Sequence, residues 1–451
     1  MKIIVLGANH AGTSFMRTIA SLGKKHEIVT YDKNNNISFL GCGIALWVSD
    51  EFEDPKGLFY SSPEELRSLN IDVKMEHEVI KVDIENKEVE VKNLKTGEIF
   101  TDNYDKLIYS GGTWPITPPF PGADLENIYL SKIFQHAQII KKMSKDDQIK
   151  DVVVIGAGYI GVELSEAFIK ANKKVTLIDM SGNVIGKYFD KEFTNEMESR
   201  MEQKGLKLAL KEKVKEIKGT NGKVSSVITD KGEYKADLVI MSIGFVPQTQ
   251  LVADQLELEP KSKALLVNKF MQTSNKDVYG LGDSVALINN AIDQPCHVAL
   301  ATNAVKTGIV AAHHINGTNL PFPGIQGTNG INVFGCSFAS TGISSELAEL
   351  HGIDYGVSFL KDKDRPEWMH NSEDVQFKLI YEKKTLRLLG AQVGTFGKQN
   401  HSESIFALSL AISKKMTLQE LALMDFYFLP HYNKPFNYIL QTALNAIKKE
   451  L

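Results

Sequence analysis

Cys42 is the residue of this sequence whose type and setting point most directly to chemistry. It stands between Gly41 and Gly43 in the mostly apolar segment 37–47. Glycine on both sides lets the backbone approach a flat partner closely, because glycine has no Cβ. We therefore interpret Cys42 as a redox thiol that faces a cofactor. The alternative is a buried thiol that fills space as a small hydrophobic residue.

The thiol at position 42 stands alone. The other two cysteines of the chain are Cys296 and Cys336. An isolated thiolate cannot store two electrons in a local disulfide, but in a shielded pocket it can cycle to sulfenic acid. The pattern predicts peroxide cleavage rather than dithiol exchange. Cys296 is either a structural thiol or a resolving partner of Cys42, and the sequence does not decide between the two. We interpret Cys336 as structural.

Upstream of Cys42 the sequence has the pattern of a dinucleotide-binding unit. A strand over residues 2–6 leads into Gly7-Ala8-Asn9-His10-Ala11-Gly12, a helical pattern follows, and the strand 28–31 ends at Asp32. In such a βαβ unit the helix N-terminus receives a pyrophosphate, and the carboxylate accepts hydrogen bonds from a ribose. Asn9 departs from the pattern, because a second glycine is expected there.

A second copy of this unit follows. Residues 152–155 lead into Gly156-Ala157-Gly158-Tyr159-Ile160-Gly161, and the strand 175–178 ends at Asp179. Two copies imply two bound dinucleotides, a flavin and a nicotinamide, since a hydride needs a donor and an acceptor. The Asp179 carboxylate repels a 2′-phosphate, which favours NADH over NADPH. Lys187 is a positive charge close to it in the sequence, so some use of NADPH is also compatible with the sequence.

His10 lies in the turn at the start of the first helix. The positive end of the helix dipole is expected to lower its pKa and keep the imidazole neutral. A neutral imidazole can accept a proton from a thiol or peroxide and return it to leaving hydroxide. The alternative is a histidine that serves as a cap or a phosphate neighbour.

Composition places the chain among ordinary globular proteins. It has 451 residues, 43% hydrophobic and 24% charged, with a net charge of −4. This length predicts two to four domains, and the charge gives no support to a nucleic-acid surface or a basic membrane patch. No apolar run approaches the roughly 20 residues of a spanning helix. The cysteine spacing fits neither a disulfide framework nor a zinc site, and we expect a cytoplasmic protein.

The remaining segments repeat one plan. Residues 73–109 and 205–235 are rich in strands, and 107–113 and 237–244 are strands that run into glycines, which predicts one nucleotide domain inserted in another. The proline-rich stretch 114–122 is predicted to be an exposed connection.

Asp283 ends a further strand and glycine turn at 278–283, where it can accept hydrogen bonds from sugar-chain hydroxyls, although a turn or N-cap role is the alternative. Helical periodicity resumes at His297, and the N-terminus of that helix can stabilise negative charge on a reduced flavin ring.

From about residue 325 the composition changes. Strand-like segments at 331–341 and 375–395 and amphipathic helices over 402–414 and 436–448 predict a third domain without a nucleotide motif. Such a domain often mediates assembly, and the alternative is a packing appendage. Its aromatic segment 426–431 is a candidate to face a partner subunit.

These motifs together resemble the flavin-dependent NADH oxidase and NADH peroxidase family, a single-cysteine branch of the pyridine nucleotide-disulfide oxidoreductases. The resemblance covers essentially the whole chain and rests on the Gly7–Gly12 turn with its histidine, the segment 38–43, the second fingerprint and 278–283. The family also carries asparagine at the place of Asn9. The segment 41–47 is more similar to water-forming oxidases than to peroxidases.

The resemblance implies an α/β fold like that of glutathione reductase, with two Rossmann-like domains and an α+β dimerisation domain. The implied domains are 1–115 with 246–324 for FAD, 116–245 for NAD(P)H, and 325–451 for homodimerisation. Tyr159 would cover the flavin until the nicotinamide displaces it. The implied FAD contacts are Gly7, Asn9, His10, Ala11, Gly12, Asp32, Cys42, Val79, Ser110, Gly111, Lys132, Asp283 and Ala299. The implied NAD(P)H contacts are Gly156, Gly158, Tyr159, Ile160, Gly161, Asp179, Tyr188 and Gly244.

The expected reaction follows from the lone cysteine and this resemblance. Two NADH and one O2 give two NAD+ and two waters, with peroxide cleaved by the Cys42 thiolate and the sulfenic acid reduced again by NADH through FAD. The same residues also fit an NADH peroxidase that starts from H2O2. A coenzyme A-disulfide reductase and a non-catalytic flavoprotein redox sensor are the remaining alternatives.

Overall fold

The computed structural model describes residues 1–117 and 120–451 of the chain. The helices within these residues are α1 (His10–Ser21), α2 (Ile44–Val48), α3 (Pro63–Ser68), α4 (Phe134–Lys145), α5 (Tyr159–Lys170), α6 (Lys191–Gln203), α7 (Ala301–Ile315), α8 (Ser345–Leu350), α9 (Ser404–Ser413), α10 (Leu418–Ala422) and α11 (Tyr438–Glu450).

The strands are β1 (Lys2–Leu6), β2 (Glu27–Asp32), β3 (Asp72–Met75), β4 (His77–Asp83), β5 (Glu88–Asn93), β6 (Ile99–Asn103), β7 (Lys106–Tyr109), β8 (Thr113–Pro115), β9 (Ile128–Leu130), β10 (Asp151–Ile155), β11 (Lys174–Asp179), β12 (Lys207–Leu210), β13 (Val214–Thr220), β14 (Lys223–Thr229), β15 (Glu233–Lys235), β16 (Leu238–Met241), β17 (Phe245–Pro247), β18 (Leu265–Leu266), β19 (Val278–Gly280), β20 (Val285–Asn289), β21 (Gln294–Cys296), β22 (Asn329–Val333), β23 (Cys336–Gly342), β24 (Tyr355–Lys363), β25 (Asp374–Glu382) and β26 (Leu388–Thr395).

Two parallel sheets with the same plan carry the two fingerprints. The first has the order β19-β7-β1-β2-β3, and the second has the order β12-β11-β10-β16-β9. The central strand of each is a β-branched run buried on both faces; Ile3, Ile4 and Val5 of β1, for example, are fully buried, as is usual in parallel sheets covered by helices. The predicted duplication of a Rossmann-like domain is therefore confirmed.

The C-terminal residues form an antiparallel sheet in the order β22-β23-β26-β25-β24, with α8 to α11 packed around it. The two strand-like segments predicted here are hairpins. The turn of the first contains Phe334 and Gly335, whose φ values of 51° and 76° lie in the left-handed region. The sequence analysis did not identify β24, α8 or α10. β24 is an edge strand and most of its residues are only partly buried, while α8 and α10 have six and five residues, too few to show a helical period.

A buried ion-pair cluster ties the C-terminal domain to the second sheet's domain. The ammonium group of Lys378 lies 2.8 Å from a carboxylate oxygen of Asp190 and 2.8 Å from one of Glu192, at the start of α6. The backbone N–H of Asp190 donates to the side-chain oxygen of Gln392, 2.9 Å away. The backbone N–H and hydroxyl of Ser345 donate to the Asp190 carboxylate. The segment that precedes α6 is thus fixed by residues of another domain.

Two expectations about connections are wrong. The stretch 114–122 is not wholly an exposed connection, because Trp114 and Pro115 belong to β8, which pairs with β17, and Pro115 is buried. Residues 118 and 119 of that stretch lie outside the described residues. The helix expected from His297 begins only at Ala301, since the backbone of Leu300 is extended, with φ −133° and ψ 131°. Among the described residues, no helix has both the length and the hydrophobicity needed to cross a membrane.

Candidate active site

A cleft of about 1930 Å³ collects the chemistry-bearing residues of both nucleotide domains and reaches the C-terminal domain. It is bounded by the glycine turns of both fingerprints, by Cys42 and by β22. The sequence-predicted residues that line it are Gly7, Asn9, His10, Ala11, Asp32, Cys42, Val79, Ser110, Gly111, Lys132, Asp283, Ala299, Gly156, Gly158, Tyr159, Ile160, Asp179, Tyr188 and Gly244.

The first fingerprint forms the tight turn that its sequence predicts. Gly7 has a φ of 93°, and a Cβ there would lie 2.6 Å from the carbonyl oxygen of Ser110, so only glycine fits. The backbone N–H of Ala8 donates to the Asp32 carboxylate at 2.8 Å. Helix α1 starts without a side-chain cap and without an acidic residue in its first turn. Its N–H groups are therefore available to an anion in the cleft.

The second fingerprint repeats this geometry. Gly156 has a φ of 108°, and a Cβ there would lie 2.4 Å from the carbonyl oxygen of Ser242. The Asp179 carboxylate accepts the backbone N–H groups of Ala157 and Ser181, each at 2.6 Å. A Cβ at Gly158 would meet nothing within 4 Å, so open space lies beside the N-terminus of α5, which also lacks a side-chain cap. This opening gives a phosphate access to the helix end.

Gly12 and Gly161 are the two predicted cofactor residues that do not line the cleft. A Cβ at Gly12 would lie 2.0 Å from the carbonyl oxygen of Gly7, and one at Gly161 would lie 1.8 Å from that of Gly156. These glycines let each helix pack closely against its own turn. They act by packing and do not reach the cleft itself.

A third uncapped helix N-terminus, that of α7, faces the same cleft. Beside it Lys132 lies between two partners: its ammonium group is 2.9 Å from the hydroxyl of Thr113 and 3.6 Å from the Asp283 carboxylate. It also lies 4.4 Å from the ring centre of Phe245. Lys132, which was implied only by resemblance, is thus a fixed charge at the cleft, and Thr113 is a neighbour that the sequence did not reveal.

Cys42 lies in a 3₁₀ turn, Gly41–Gly43, directly before α2, and its side chain is exposed to the cleft. The flanking glycines have close neighbours within the protein. A Cβ at Gly43 would lie 2.2 Å from a methyl carbon of Leu58, and one at Gly41 would lie 3.3 Å from the carbonyl oxygen of Lys132. Neighbours within the protein thus already favour glycine at these two positions, and the interpretation that a flat cofactor approaches Cys42 stays a prediction.

All three cysteines are free thiols. Cys336 is buried in β23, and Cys296 does not line the cleft, so within the described residues Cys42 is the cysteine that faces it. Although Cys42 is exposed to the cleft, the protein atoms around it partly exclude water, which raises the pKa of the thiol, and the negative charge of Glu163 raises it further. An acceptor for the thiol proton is therefore required if Cys42 is to react as a thiolate at neutral pH.

His10 lies on the cleft wall against Tyr60. Its Nδ1 is 3.1 Å from the Tyr60 hydroxyl, and the two rings stack with centres 5.6 Å apart. Burial lowers the pKa of His10, which agrees in direction with the sequence-based expectation although the main cause is burial. Burial also raises the pKa of Tyr60 to about 12, so its hydroxyl stays protonated. Nε2 of His10 makes no hydrogen bond to any residue that the structure describes.

Tyr159 and Tyr188 pack edge to face, with ring centres 4.8 Å apart. The hydroxyl of Tyr159 donates to the side-chain oxygen of Asn329 in the C-terminal domain. Tyr188 belongs to the segment 180–190, most of which lines the cleft just ahead of the Asp190 cluster. Gly244, with a φ of 110°, completes this wall.

Besides Thr113, sequence reasoning missed Glu163, Asn329 and Tyr60 at the cleft or its wall. Glu163 lies one helical turn after Tyr159 on α5, and burial followed by the charge of Glu166 raises the pKa of its carboxyl group to about 7. That helical spacing is the one local signal that was available for Glu163. Asn329 and Tyr60 are brought in from distant segments, so their neighbours in the sequence carried no such signal.

The residues of the cleft fit two dinucleotides. Three uncapped helix N-termini offer anion sites, two strand-end carboxylates lie beside the glycine turns, and the space next to Gly158 is open. Asp32 and Asp179 each use one carboxylate oxygen to hold their glycine turn. This fixes the position at which a ribose would be recognised.

Comparison with known proteins agrees with this geometry. Residues 1–308 match the pyridine nucleotide-disulphide oxidoreductase family, and residues 330–437 match the dimerisation domain of that family. An NADH oxidase of Enterococcus faecalis is 43% identical over 449 residues, which is 99% of this chain and 100% of that protein.

Two solved structures have the same fold over their full length. The water-forming NADH oxidase from Lactobacillus brevis, bound to NADH, superposes with a TM-score of 0.97 at 37% identity and covers 100% of this chain and 99% of that one. An engineered water-forming NADPH oxidase made from it, bound to NADPH, has a TM-score of 0.97 at 36% identity with the same coverage. The chain described here belongs to the pyridine nucleotide-disulphide oxidoreductase family, in the branch that includes the NADH oxidases.

Proposed function

We propose that this protein is a FAD-dependent NADH oxidase that reduces O2 to water. The observation that carries the proposal is the position of Cys42, a free thiol that lies on the cleft shared by both dinucleotide fingerprints. Cys296 and Cys336 do not line that cleft. A lone thiol beside a flavin site suits reduction of a peroxide better than exchange with a dithiol.

The first fingerprint would hold FAD and the second would hold NADH. Asp32 and the N-terminus of α1 would bind the ribose and pyrophosphate of FAD, while Asp283, Lys132 and the N-terminus of α7 would face the rest of that cofactor. Bound FAD would supply the two-electron chemistry that carries reducing equivalents from NADH to O2 and to the oxidised cysteine. The domain boundaries 1–115 with 246–324, 116–245 and 325–451 follow this assignment and stay a prediction.

Cys42 would cleave the peroxide. Its thiolate attacks one oxygen of H2O2, the O–O bond breaks, water leaves, and Cys42 becomes sulfenic acid. One NADH is consumed in forming the peroxide and a second in returning the sulfenic acid to the thiol with loss of water. The sum is two NADH, two protons and one O2 giving two NAD+ and two waters.

His10 would move the protons of this step. Its lowered pKa keeps the imidazole neutral near pH 7, so it can accept the proton of the Cys42 thiol and donate it to the leaving hydroxide. If Nδ1 donates its proton to the Tyr60 hydroxyl, Nε2 is the free acceptor. Tyr60 would then select the tautomer that the reaction needs.

NADH rather than NADPH would be the donor. The Asp179 carboxylate ends β11 at the second fingerprint, where it would accept hydrogen bonds from a ribose and repel a 2′-phosphate. The Lactobacillus brevis oxidase is bound to NADH, whereas its NADPH-bound derivative carries a substitution of aspartate by alanine and two substitutions to arginine. This difference supports the role given to Asp179.

The enzyme would work as a homodimer through its C-terminal domain. That domain exposes a group of large apolar side chains on α9 and on the segment 423–436; among them Leu423 is 84% exposed and Tyr427 is 69% exposed. An apolar surface of this kind is typical of a protein interface. The group consists of Phe406, Leu410, Leu423, Tyr427, Phe428, Leu429, Tyr432 and Phe436. A cytoplasmic location, which free thiols suit, stays a prediction.

Oxygen consumption tests this function directly. The FAD-loaded enzyme is supplied with NADH in an oxygen electrode, with and without catalase. A ratio of about two NADH per O2 that catalase does not change supports reduction to water. Turnover with H2O2 in the absence of O2, combined with no consumption of O2, would instead identify an NADH peroxidase.

A further inference from the structure

Tyr159 is tied to a different domain from the one that carries it. It is the first residue of α5, at the entrance of the second fingerprint, and its hydroxyl donates to the side-chain oxygen of Asn329. Asn329 opens β22 of the C-terminal sheet, 170 residues further along the chain. Both side chains line the cleft that Cys42 faces.

Asn329 is held in place as an acceptor. Its side-chain nitrogen donates to the carbonyl oxygen of Gly327 at 2.6 Å, which fixes the orientation of the amide. Its oxygen also accepts the hydroxyl of Ser340 at 3.2 Å, from the residue paired with Asn329 between β22 and β23. The amide oxygen is therefore aimed at Tyr159 before the tyrosine arrives, so the contact costs little side-chain ordering.

The ring of Tyr159 is fixed as well. It packs edge to face against Tyr188, whose segment leads into the Asp190 cluster. Burial raises the pKa of the Tyr159 phenol well above its ordinary value, so the group remains a donor. One ring contact and one hydrogen bond thus hold the Tyr159 side chain in place at the cleft.

We propose that Asn329 is a positioning residue that holds Tyr159 closed over the nicotinamide end of the cleft, and that a nicotinamide enters only when the Tyr159–Asn329 hydrogen bond breaks. The inference rests on the proposed function and on the family resemblance, which implies that Tyr159 covers the flavin. It adds that the C-terminal domain, through β22, sets how readily NADH gains access.

The size of the effect follows from the bond. A neutral hydrogen bond changes a closed-to-open equilibrium by about fivefold, and the apparent affinity of a ligand for the open form changes by the same factor when the closed form predominates. Loss of the bond is therefore expected to tighten NAD+ binding to the oxidised, FAD-loaded enzyme about fivefold. The KM for NADH is expected to fall with little change in kcat.

The experiment measures NAD+ binding to the oxidised holoenzyme by titration calorimetry for Asn329→Ala, Tyr159→Phe and the double variant. Tyr159→Phe removes the same bond from the other end and leaves β22 untouched. Asn332→Ala, at an exposed position of the same strand, is the matched control. Both single variants are expected to tighten NAD+ binding about fivefold, and the double variant no further, because they remove one shared interaction.

The outcomes separate the two proposals. The inference is overturned if Tyr159→Phe tightens binding while Asn329→Ala has wild-type affinity, or if the effects of the two substitutions multiply. If Tyr159→Phe, Tyr159→Ala and Asn329→Ala all bind NAD+ as the wild type does, Tyr159 does not cover the site. The positioning role of Asn329 and the implied covering role of Tyr159 then both fail, while the oxygen-electrode experiment still tests the oxidase function. If Asn329→Ala binds NAD+ more weakly because it misfolds, Tyr159→Phe tests the same hydrogen bond with β22 intact. Wild-type affinity of Tyr159→Phe for NAD+ then overturns the inference.

Discussion

Cys42 and Glu163 face one cleft, and burial and then the negative charge of Glu163 raise the pKa of the Cys42 thiol. Glu163 is itself sensitive to pH near neutrality, because burial and the charge of Glu166 raise its pKa to about 7. Below that pH Glu163 is protonated and uncharged, so it no longer opposes ionisation of the thiol. The reactivity of Cys42 therefore depends on the charge of a residue that was not predicted to belong to the site.

The first prediction concerns Glu163→Gln. Removal of the charge is expected to lower the pKa of Cys42 and to raise its rate of alkylation by iodoacetamide about threefold at pH 8. The rate is expected to be unchanged below about pH 6, where wild-type Glu163 is already neutral. The rate of alkylation is measured by mass spectrometry of the peptide that contains Cys42. Glu202→Gln, at an exposed carboxylate of the same domain, is the control, and equal rates at pH 8 would rule out the coupling.

The second prediction concerns Cys42→Ser. Serine does not form a sulfenic acid, so the peroxide is expected to leave the enzyme unreduced. The ratio of NADH to O2 consumed should fall from about two to about one, and H2O2 should accumulate until catalase is added. Cys296→Ser serves as the control and should keep the wild-type ratio. A Cys42→Ser enzyme that still produced only water would disprove the role of the thiol.

The third prediction concerns His10→Ala. Loss of a positioned base is expected to slow sulfenic acid formation with H2O2 about 100-fold at pH 7. In the wild type, protonation of the imidazole is expected to lower the rate as the pH drops through the lowered pKa of His10, and His10→Ala should lack this loss. Rapid-mixing labelling with a sulfenic-acid reagent follows the reaction. His370→Ala, at an exposed histidine, should react normally.

The fourth prediction concerns Asp179→Asn. The amide keeps an acceptor for the N–H of Ala157 but removes the charge that repels a 2′-phosphate. The kcat/KM for NADPH is expected to rise about tenfold relative to that for NADH, which corresponds to about 1.4 kcal/mol. Steady-state rates with both donors measure the ratio. Asp147→Asn, on an exposed loop, should leave it unchanged, and an unaltered ratio in Asp179→Asn would contradict the assignment.

The parts of this molecule that sequence predicted well are those encoded within one βαβ unit. Gly7, Asp32, Gly156 and Asp179 are set by strand, turn and helix within about 25 residues, so their spacing alone identified their geometry. The resemblance to a known family indicated Lys132, which no local pattern did. It also implied dimerisation for the third domain, which the strand and helix patterns after residue 325 had predicted without deciding its role.

The parts that sequence missed depend on contacts between distant segments. Asn329 meets Tyr159 across 170 residues, and Tyr60 meets His10 across 50. The packing of Leu58 and of the Lys132 carbonyl oxygen against the glycines beside Cys42 was likewise not evident from the sequence. Tertiary packing of this kind leaves no periodic signal in the chain.

The ion pair between Lys378 and Asp190 bears on how this protein can be engineered. Most of the residues 180–188 line the cleft, and the segment leads to the Asp190 carboxylate, whose counter-charge is Lys378 of the C-terminal sheet. A truncated version without that sheet would leave Asp190 and Glu192 without this counter-charge. Cutting the chain at residue 325 to obtain a smaller biocatalyst is therefore expected to disturb a wall of the cleft that lies outside the part removed.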